Sequence, residues 1–151
     1  MSDKAVKLLS TWFHVGDLPG APGTAASAIG LLMVLVLQSN IFLYALALAA
    51  VIIVGLRVSG RMEKILGRKD PPCVVIDEVA GVMLAFFLLP LTPAVIVTAF
   101  FLFRAFDMFK IVPVNLFEKL EGSKGIMSDD LIAGAYTNIV MQIAVRWTGI
   151  V

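Results

Sequence analysis

The sequence predicts an all-α fold: a polytopic membrane helical bundle of four to five hydrophobic helices with an N-terminal amphipathic interfacial helix. Three observations carry this. Hydrophobic residues make up 60% of the 151 and charged residues 15%, against roughly 45–50% apolar and 25% charged in soluble domains. Mean hydropathy is +0.96. Charges are missing between Asp17 and Arg57, between Glu78 and Arg104, and between Asp130 and Arg146, and short polar or proline-containing breaks divide these gaps into helix-length runs. One domain, residues 1–151, accounts for the whole pattern.

The elements follow in order. Residues 3–13 put Ala5, Leu8, Leu9 and Trp12 at helical spacing beside Lys4 and Lys7, the pattern of an interfacial helix; a terminus packed on the bundle is the alternative. This apolar run is too short for a cleavable leader, so none is expected. Residues 15–24 hold three glycines and two prolines and must form a loop. Helices are expected at 24–37 and 41–56, joined by Gln38-Ser39-Asn40, and at 74–89 and 94–109, split by Pro90-Leu-Thr-Pro93. A last helix is expected at 128–147, N-capped by Ser128 or Asp129 and anchored by Arg146 and Trp147. Several of these runs fall short of the ~20 residues that cross a hydrocarbon core, which points to local thinning or partial insertion.

Basic residues orient the bundle. Lys4 and Lys7, then Arg57, Arg61, Lys64, Arg68 and Lys69, then Arg104, Lys110, Lys119 and Lys124 fall in three regions that alternate with uncharged turns. Lys and Arg in short loops tend to stay on the cytoplasmic side, so all three regions share that face; a last helix that crosses puts the C-terminus outside, where Arg146 counts against it. The same topology brings Gly23-Thr24, Asp77-Glu78, Asp107 and Asp129-Asp130 to one depth. A net charge of +1 without a basic stripe gives no reason to expect a nucleic-acid partner.

Carboxylates at the edge of hydrocarbon usually face a bundle interior or a water-filled cavity. Asp77-Glu78 lies between Val74-Val-Ile and Val79-Ala-Gly-Val-Met and reads as an acidic pair inside an apolar run. Asp129-Asp130 reads as a helix start, where the backbone amides favour negative charge. Arg104, Asp107 and Lys110 recur every three residues on one helix face, although Arg104 and Asp107 alone also suit a surface ion pair. Gly81 and Gly134 each stand four residues after an acid, allowing a helix or ligand to approach closely. One His and one Cys cannot supply an ordinary zinc site, so a metal held by Asp77, Glu78, Asp107, Asp129 and Asp130 is oxygen-bound; Mg²⁺, which binds through a few carboxylates and substrate phosphate, fits. Arg104, Lys110 and Lys124 suit the phosphate. His14 reads as a loop residue. A histidine-nucleophile phosphatase needs a second histidine, a cysteine phosphatase needs Arg where Val79 follows Cys73, and no Asp-x-Asp is present. A small transporter or channel subunit with a carboxylate-lined cation pathway is the alternative, but a pathway should place acids at several depths.

Pro22-Gly23-Thr24-Ala-Ala-Ser27, Asp77-Glu78-Val-Ala-Gly81, Phe103-Arg104-Ala-Phe-Asp107-Met-Phe-Lys110 and Gly125-Ile-Met127-Ser-Asp129-Asp130-Leu-Ile-Ala-Gly134 together resemble, in order and spacing, the motifs of the phosphatidylglycerophosphatase A family. The resemblance implies a Mg²⁺-dependent phosphatase of the bacterial inner membrane that hydrolyses phosphatidylglycerophosphate to phosphatidylglycerol and phosphate, and the multi-pass topology read from the basic loops puts the site at the cytoplasmic face. It implies Asp77, Glu78, Asp107, Asp129 and Asp130 as catalytic and metal-binding residues, with Lys110 beside them. Thr24, after the glycine-rich loop, would offer its hydroxyl and helix-start amides to phosphate. The sequence departs from the family's usual Lys-Pro-x-Pro with Lys110-Ile-Val-Pro113, and from its usual Gly-Gly with Gly122-Ser-Lys124-Gly125. Neither change removes an acid. Membrane lipid is the expected surrounding, and a homo-oligomer is compatible with the sequence.

Overall fold

The computed structural model describes residues 1–109 and 122–149. These form six α-helices and no strand: α1 Asp3–Ser10, α2 Pro22–Leu37, α3 Ile41–Leu66, α4 Ile76–Ala85, α5 Pro93–Phe109 and α6 Ser123–Thr148, with a 3-10 turn at Val15–Asp17. The all-α expectation holds. The expected count of membrane-crossing helices does not follow from length: α3 is long and apolar enough to cross a membrane, and α2 is apolar but shorter.

α1 ends earlier than the expected 3–13. Trp12, Phe13 and His14 take positive φ of 46°, 57° and 69° and turn the chain back. Val6 is fully buried, α1 packs on α3, and the Ser10 carbonyl accepts from Val75 N–H at 2.9 Å. The N-terminal segment is therefore docked on the bundle. Beside it, His14 Nδ1 and Lys7 Nζ lie 2.8 and 3.3 Å from Asp17 Oδ2. The His14 hydrogen bond, with Lys7 next to it, holds the Asp17 carboxyl below its ordinary range.

α2 and α5 match the expected segments closely, because the polar turn and the prolines that bound them act locally. α3 runs ten residues beyond the expected Leu56, through Arg57, Arg61 and Lys64, and stops at Gly67 in the left-handed conformation. Charge ends an apolar run without ending a helix. α4 is the reverse case, ten residues where sixteen were expected (74–89), or about 15 Å of helix. It is the centre of the core, packed against α6, α2, α3 and α5, with Ile76, Val79, Ala80, Val82, Met83 and Ala85 all fully buried.

A short buried helix must satisfy the carbonyls of its last turn elsewhere. Its neighbours supply the donors. Tyr44 of α3 donates its hydroxyl to the Met83 carbonyl at 2.6 Å, and Asn138 of α6 donates Nδ2 to Ala85 and Phe87 carbonyls at 3.0 and 2.7 Å. Gln142, one turn further on, donates to Leu88 at 3.2 Å.

α6 begins at Ser123, five residues before the expected Ser128, with Gly122 at the N-cap. The expected cap by Ser128 or Asp129 is thereby corrected. The early start is tied to α3, since Ser123 Oγ accepts from Gly60 N–H at 2.7 Å.

Candidate active site

The N-terminal ends of α2 and α4, the C-terminal part of α5, the second and third turns of α6 and the loop after α3 meet at a cavity of about 310 Å³. It receives Gly23 from α2, Asp77 and Glu78 from α4, Arg104 and Asp107 from α5, Asp129 and Asp130 from α6, and Asp70 from the loop. All five predicted acids thus converge. Among the described lining residues there are six carboxylates and a single guanidinium, an excess of negative charge that calls for cations.

The acidic pair at a helix start is Asp77-Glu78 and not, as expected, Asp129-Asp130. Asp77 and Glu78 lie in the first turn of α4, where unpaired amides and the helix dipole favour anions. Asp129 stands six residues inside α6 and gains nothing from that helix's start. Asp130 reaches the cavity because α6 crosses α4 with very little space between backbones. A Cβ added to Gly81 would lie 2.7 Å from the Asp130 carbonyl oxygen, and one added to Gly134 would collide with the Gly81 carbonyl oxygen. The two glycines read from the sequence as points of close approach face each other. They bring Asp130 beside Asp77.

Asp77 and Asp130 are 7% and 4% exposed, so both carboxylates are removed from bulk water. One oxygen from each of Asp77, Glu78 and Asp130 lies within 4.8 Å of the others. Asp77 Oδ1 and Glu78 Oε2 are buried without a hydrogen-bond partner. Buried carboxylate oxygens left without donors are costly, and a hard divalent cation is what such an oxygen-only set accommodates. These three residues fit a metal.

Arg104 and Asp107 do form the ion pair weighed above, Nη1 to Oδ2 at 2.7 Å, yet both line the cavity, so pairing and site membership coexist. Thr24 and Lys124 are exposed and stand outside the described lining, so the structure does not bring these two proposed phosphate ligands to the acids. Lys110 lies outside the described residues. Two participants were not singled out from the sequence. Asp70, between a basic run and Pro71-Pro72, gave no signal beyond that of a loop; Ser27, quoted within a motif, carries a hydrogen bond to Arg104 at 3.3 Å.

A family model described as Phosphatidylglycerophosphatase A matches residues 8–145. The chain is 34% identical over 148 residues to Phosphatidylglycerophosphatase A of Haemophilus influenzae, covering 94% of this chain and 90% of that one. It is 31% identical over 144 residues to Phosphatidylglycerophosphatase A of Escherichia coli, covering 93% and 84%. It is also 34% identical over 149 residues to a Bacteroides thetaiotaomicron protein named "Putative phosphatidylinositol-3-phosphatase", covering 93% and 92%. No solved structure matches the chain. With a family match that spans all six acids of the cavity and a helix suited to crossing a membrane, the chain belongs to the phosphatidylglycerophosphatase A family and is a membrane-associated phosphatase.

Proposed function

We propose that this protein hydrolyses the terminal phosphate monoester of phosphatidylglycerophosphate to give phosphatidylglycerol and inorganic phosphate, with Mg²⁺, at the cytoplasmic face of a bacterial inner membrane. The observation that carries the reading is the set of Asp77, Glu78 and Asp130 oxygens within 4.8 Å of one another, in a cavity shared with Arg104. A cation pathway would distribute acids along the bundle; gathering them at one end beside a guanidinium suits an anionic substrate.

Asp77, Glu78 and Asp130 would hold the ion, with Asp107 and Asp129 at its margin. When bound, Mg²⁺ supplies Lewis-acid polarisation of the phosphoryl oxygens. The chain's own residues do the rest. Arg104 offsets phosphate charge through a planar guanidinium suited to phosphate oxygens, and the start of α2 at Pro22-Gly23 adds the positive end of a helix dipole. A cavity carboxylate takes the proton of the attacking water as its oxygen bonds to phosphorus and the bond from phosphorus to the lipid oxygen breaks; the same proton, returned to that oxygen, completes the alcohol of phosphatidylglycerol.

Embedding in lipid is supported by the outer surface, where large apolar side chains stay exposed on several helices: Leu32 59%, Phe42 85%, Leu46 68% and Phe101 67%. In that setting α4, at about 15 Å, reaches only half of a ~30 Å hydrocarbon core. Non-helical backbone at such depth needs protein donors, and Asn138 and Gln142 provide them at the Phe87 and Leu88 carbonyls.

The test is phosphate release from phosphatidylglycerophosphate in detergent micelles, with Mg²⁺ or chelator, for the wild type and Asp130→Asn. Phosphatidylinositol 3-phosphate runs in parallel, because one relative is named for it. The expected result is Mg²⁺-dependent release from phosphatidylglycerophosphate, lost in Asp130→Asn. Release that ignores both chelator and the substitution overturns the mechanism, and preference for the phosphoinositide overturns the substrate.

A further inference from the structure

We propose that Ser27 is a positioning residue for the phosphatase reaction, holding Arg104 and the glycine-bearing start of α2 against the acid cavity. The proposal rests on the reading of Arg104 as a phosphate-side residue. Ser27 is fully buried in α2 and is not among the residues lining the cavity, so it acts through others.

Its hydroxyl is used on both sides. Ser27 Oγ donates to the Gly23 carbonyl at 2.9 Å, one turn back along α2, and accepts from Arg104 Nη1 at 3.3 Å. A back-bond from Ser to the carbonyl four residues earlier is common in helices and by itself signals nothing. Here it has a consequence. With the single hydroxyl proton committed to Gly23, only lone pairs remain toward the neighbouring helix, and a lone pair matches a guanidinium, which only donates. The same Nη1 donates to Asp107 Oδ2 at 2.7 Å. Arg104 is thus held between an anion on its own helix and a neutral acceptor on α2, which restricts it more than either contact alone.

The other end of the link reaches the acids. Gly23 abuts Glu78, whose Oε1 would collide with any Cβ at that position. One buried hydroxyl therefore ties the backbone beside Glu78 to the cation beside Asp107. Without it, Arg104 is left to pair with Asp107 alone, and the start of α2 loses its tie to α5.

Hydrogen bonds to charged groups are worth about 1.5–3 kcal/mol, so Ser27→Ala should lower kcat/KM for phosphatidylglycerophosphate by roughly 10- to 100-fold. The Ki of inorganic phosphate as a competitive inhibitor should rise in parallel. Alanine keeps the helix, and Ser27→Cys, close in volume but a weak acceptor, provides a second variant with the same expected direction. In an Arg104→Ala background, Ser27→Ala should change neither quantity by more than about twofold. Equal losses in both backgrounds mean a merely structural Ser27, and wild-type kcat/KM and Ki in both single Ser27 variants mean no role; either result overturns the proposal. If Arg104→Ala itself keeps wild-type kcat/KM and Ki, the phosphate reading of Arg104 falls, an outcome separate from the other two.

Discussion

Substituting Gly81 by Ala tests whether the crossing of α4 and α6 sets the spacing of the acids. The new Cβ would lie 2.7 Å from the Asp130 carbonyl oxygen and 2.8 Å from Phe103 Cε2, where ordinary contacts begin at 3.4 Å. Relief requires a separation of about 0.7 Å at the residue that carries one of the three clustered carboxylates. Metal–ligand distances tolerate about 0.2 Å, so the displacement is several times what a bound ion accepts. Stability is touched less. Overpacking typically costs about 1–3 kcal/mol, and replacing a helical glycine by alanine returns about 1 kcal/mol, leaving a net loss near 0–2 kcal/mol. Gly81→Ala should therefore remain folded in detergent by thermal unfolding while needing at least tenfold more Mg²⁺ for half-maximal phosphate release. Gly30→Ala, at the α2–α4 contact with added-Cβ distances of 3.2–3.3 Å, should change that requirement little. A folded Gly81→Ala protein with wild-type Mg²⁺ dependence and turnover would refute the argument that this crossing places Asp130.

Asp77→Asn, measured by thermal unfolding in chelator, should be at least as stable as wild type although inactive, because a buried oxygen without a partner and a neighbouring carboxylate both oppose the charge it removes. Tyr44→Phe removes the hydroxyl that satisfies the Met83 carbonyl in the core and should cost about 1–3 kcal/mol by denaturant or thermal unfolding, without altering Mg²⁺ dependence. Asn138→Leu strips donors from Ala85 and Phe87 and should destabilise by a similar amount, again with the metal requirement unchanged. Asp17 should titrate below 3.8 by carbon-detected NMR and move back toward 3.8 in His14→Ala; its lowered value stabilises the fold above the ordinary range and loses that contribution as pH falls through it.

The sequence alone was sufficient for the all-α class of the fold and for five of the six acids that line the cavity. Charge-free runs of helical length, split by Gln38-Ser39-Asn40 and by Pro90 and Pro93, locate α2 and α5 because polar turns and prolines act on their own neighbours. Asp77, Glu78, Asp107, Asp129 and Asp130 stand out because few side chains are costlier at the edge of an apolar run. Gly81 and Gly134 were legible as close-approach sites from their spacing to the acids. What each acid experiences was decided by the tertiary structure. Whether a helix begins at Ser123 or Ser128 depends on what its first turn meets, and Ser123 meets the Gly60 amide of α3. That contact puts Asp129-Asp130 inside a helix, while α4, starting at Ile76, takes Asp77-Glu78 into its first turn. α4 can stop at Ala85 only because Tyr44 and Asn138, each more than thirty residues away in sequence, satisfy its last carbonyls. Asp70 lines the cavity and Ser27 reaches it through Arg104 for the same reason: a loop acid and a helix-interior serine acquire their meaning from partners that folding supplies, and hydropathy along one chain carries no record of those partners.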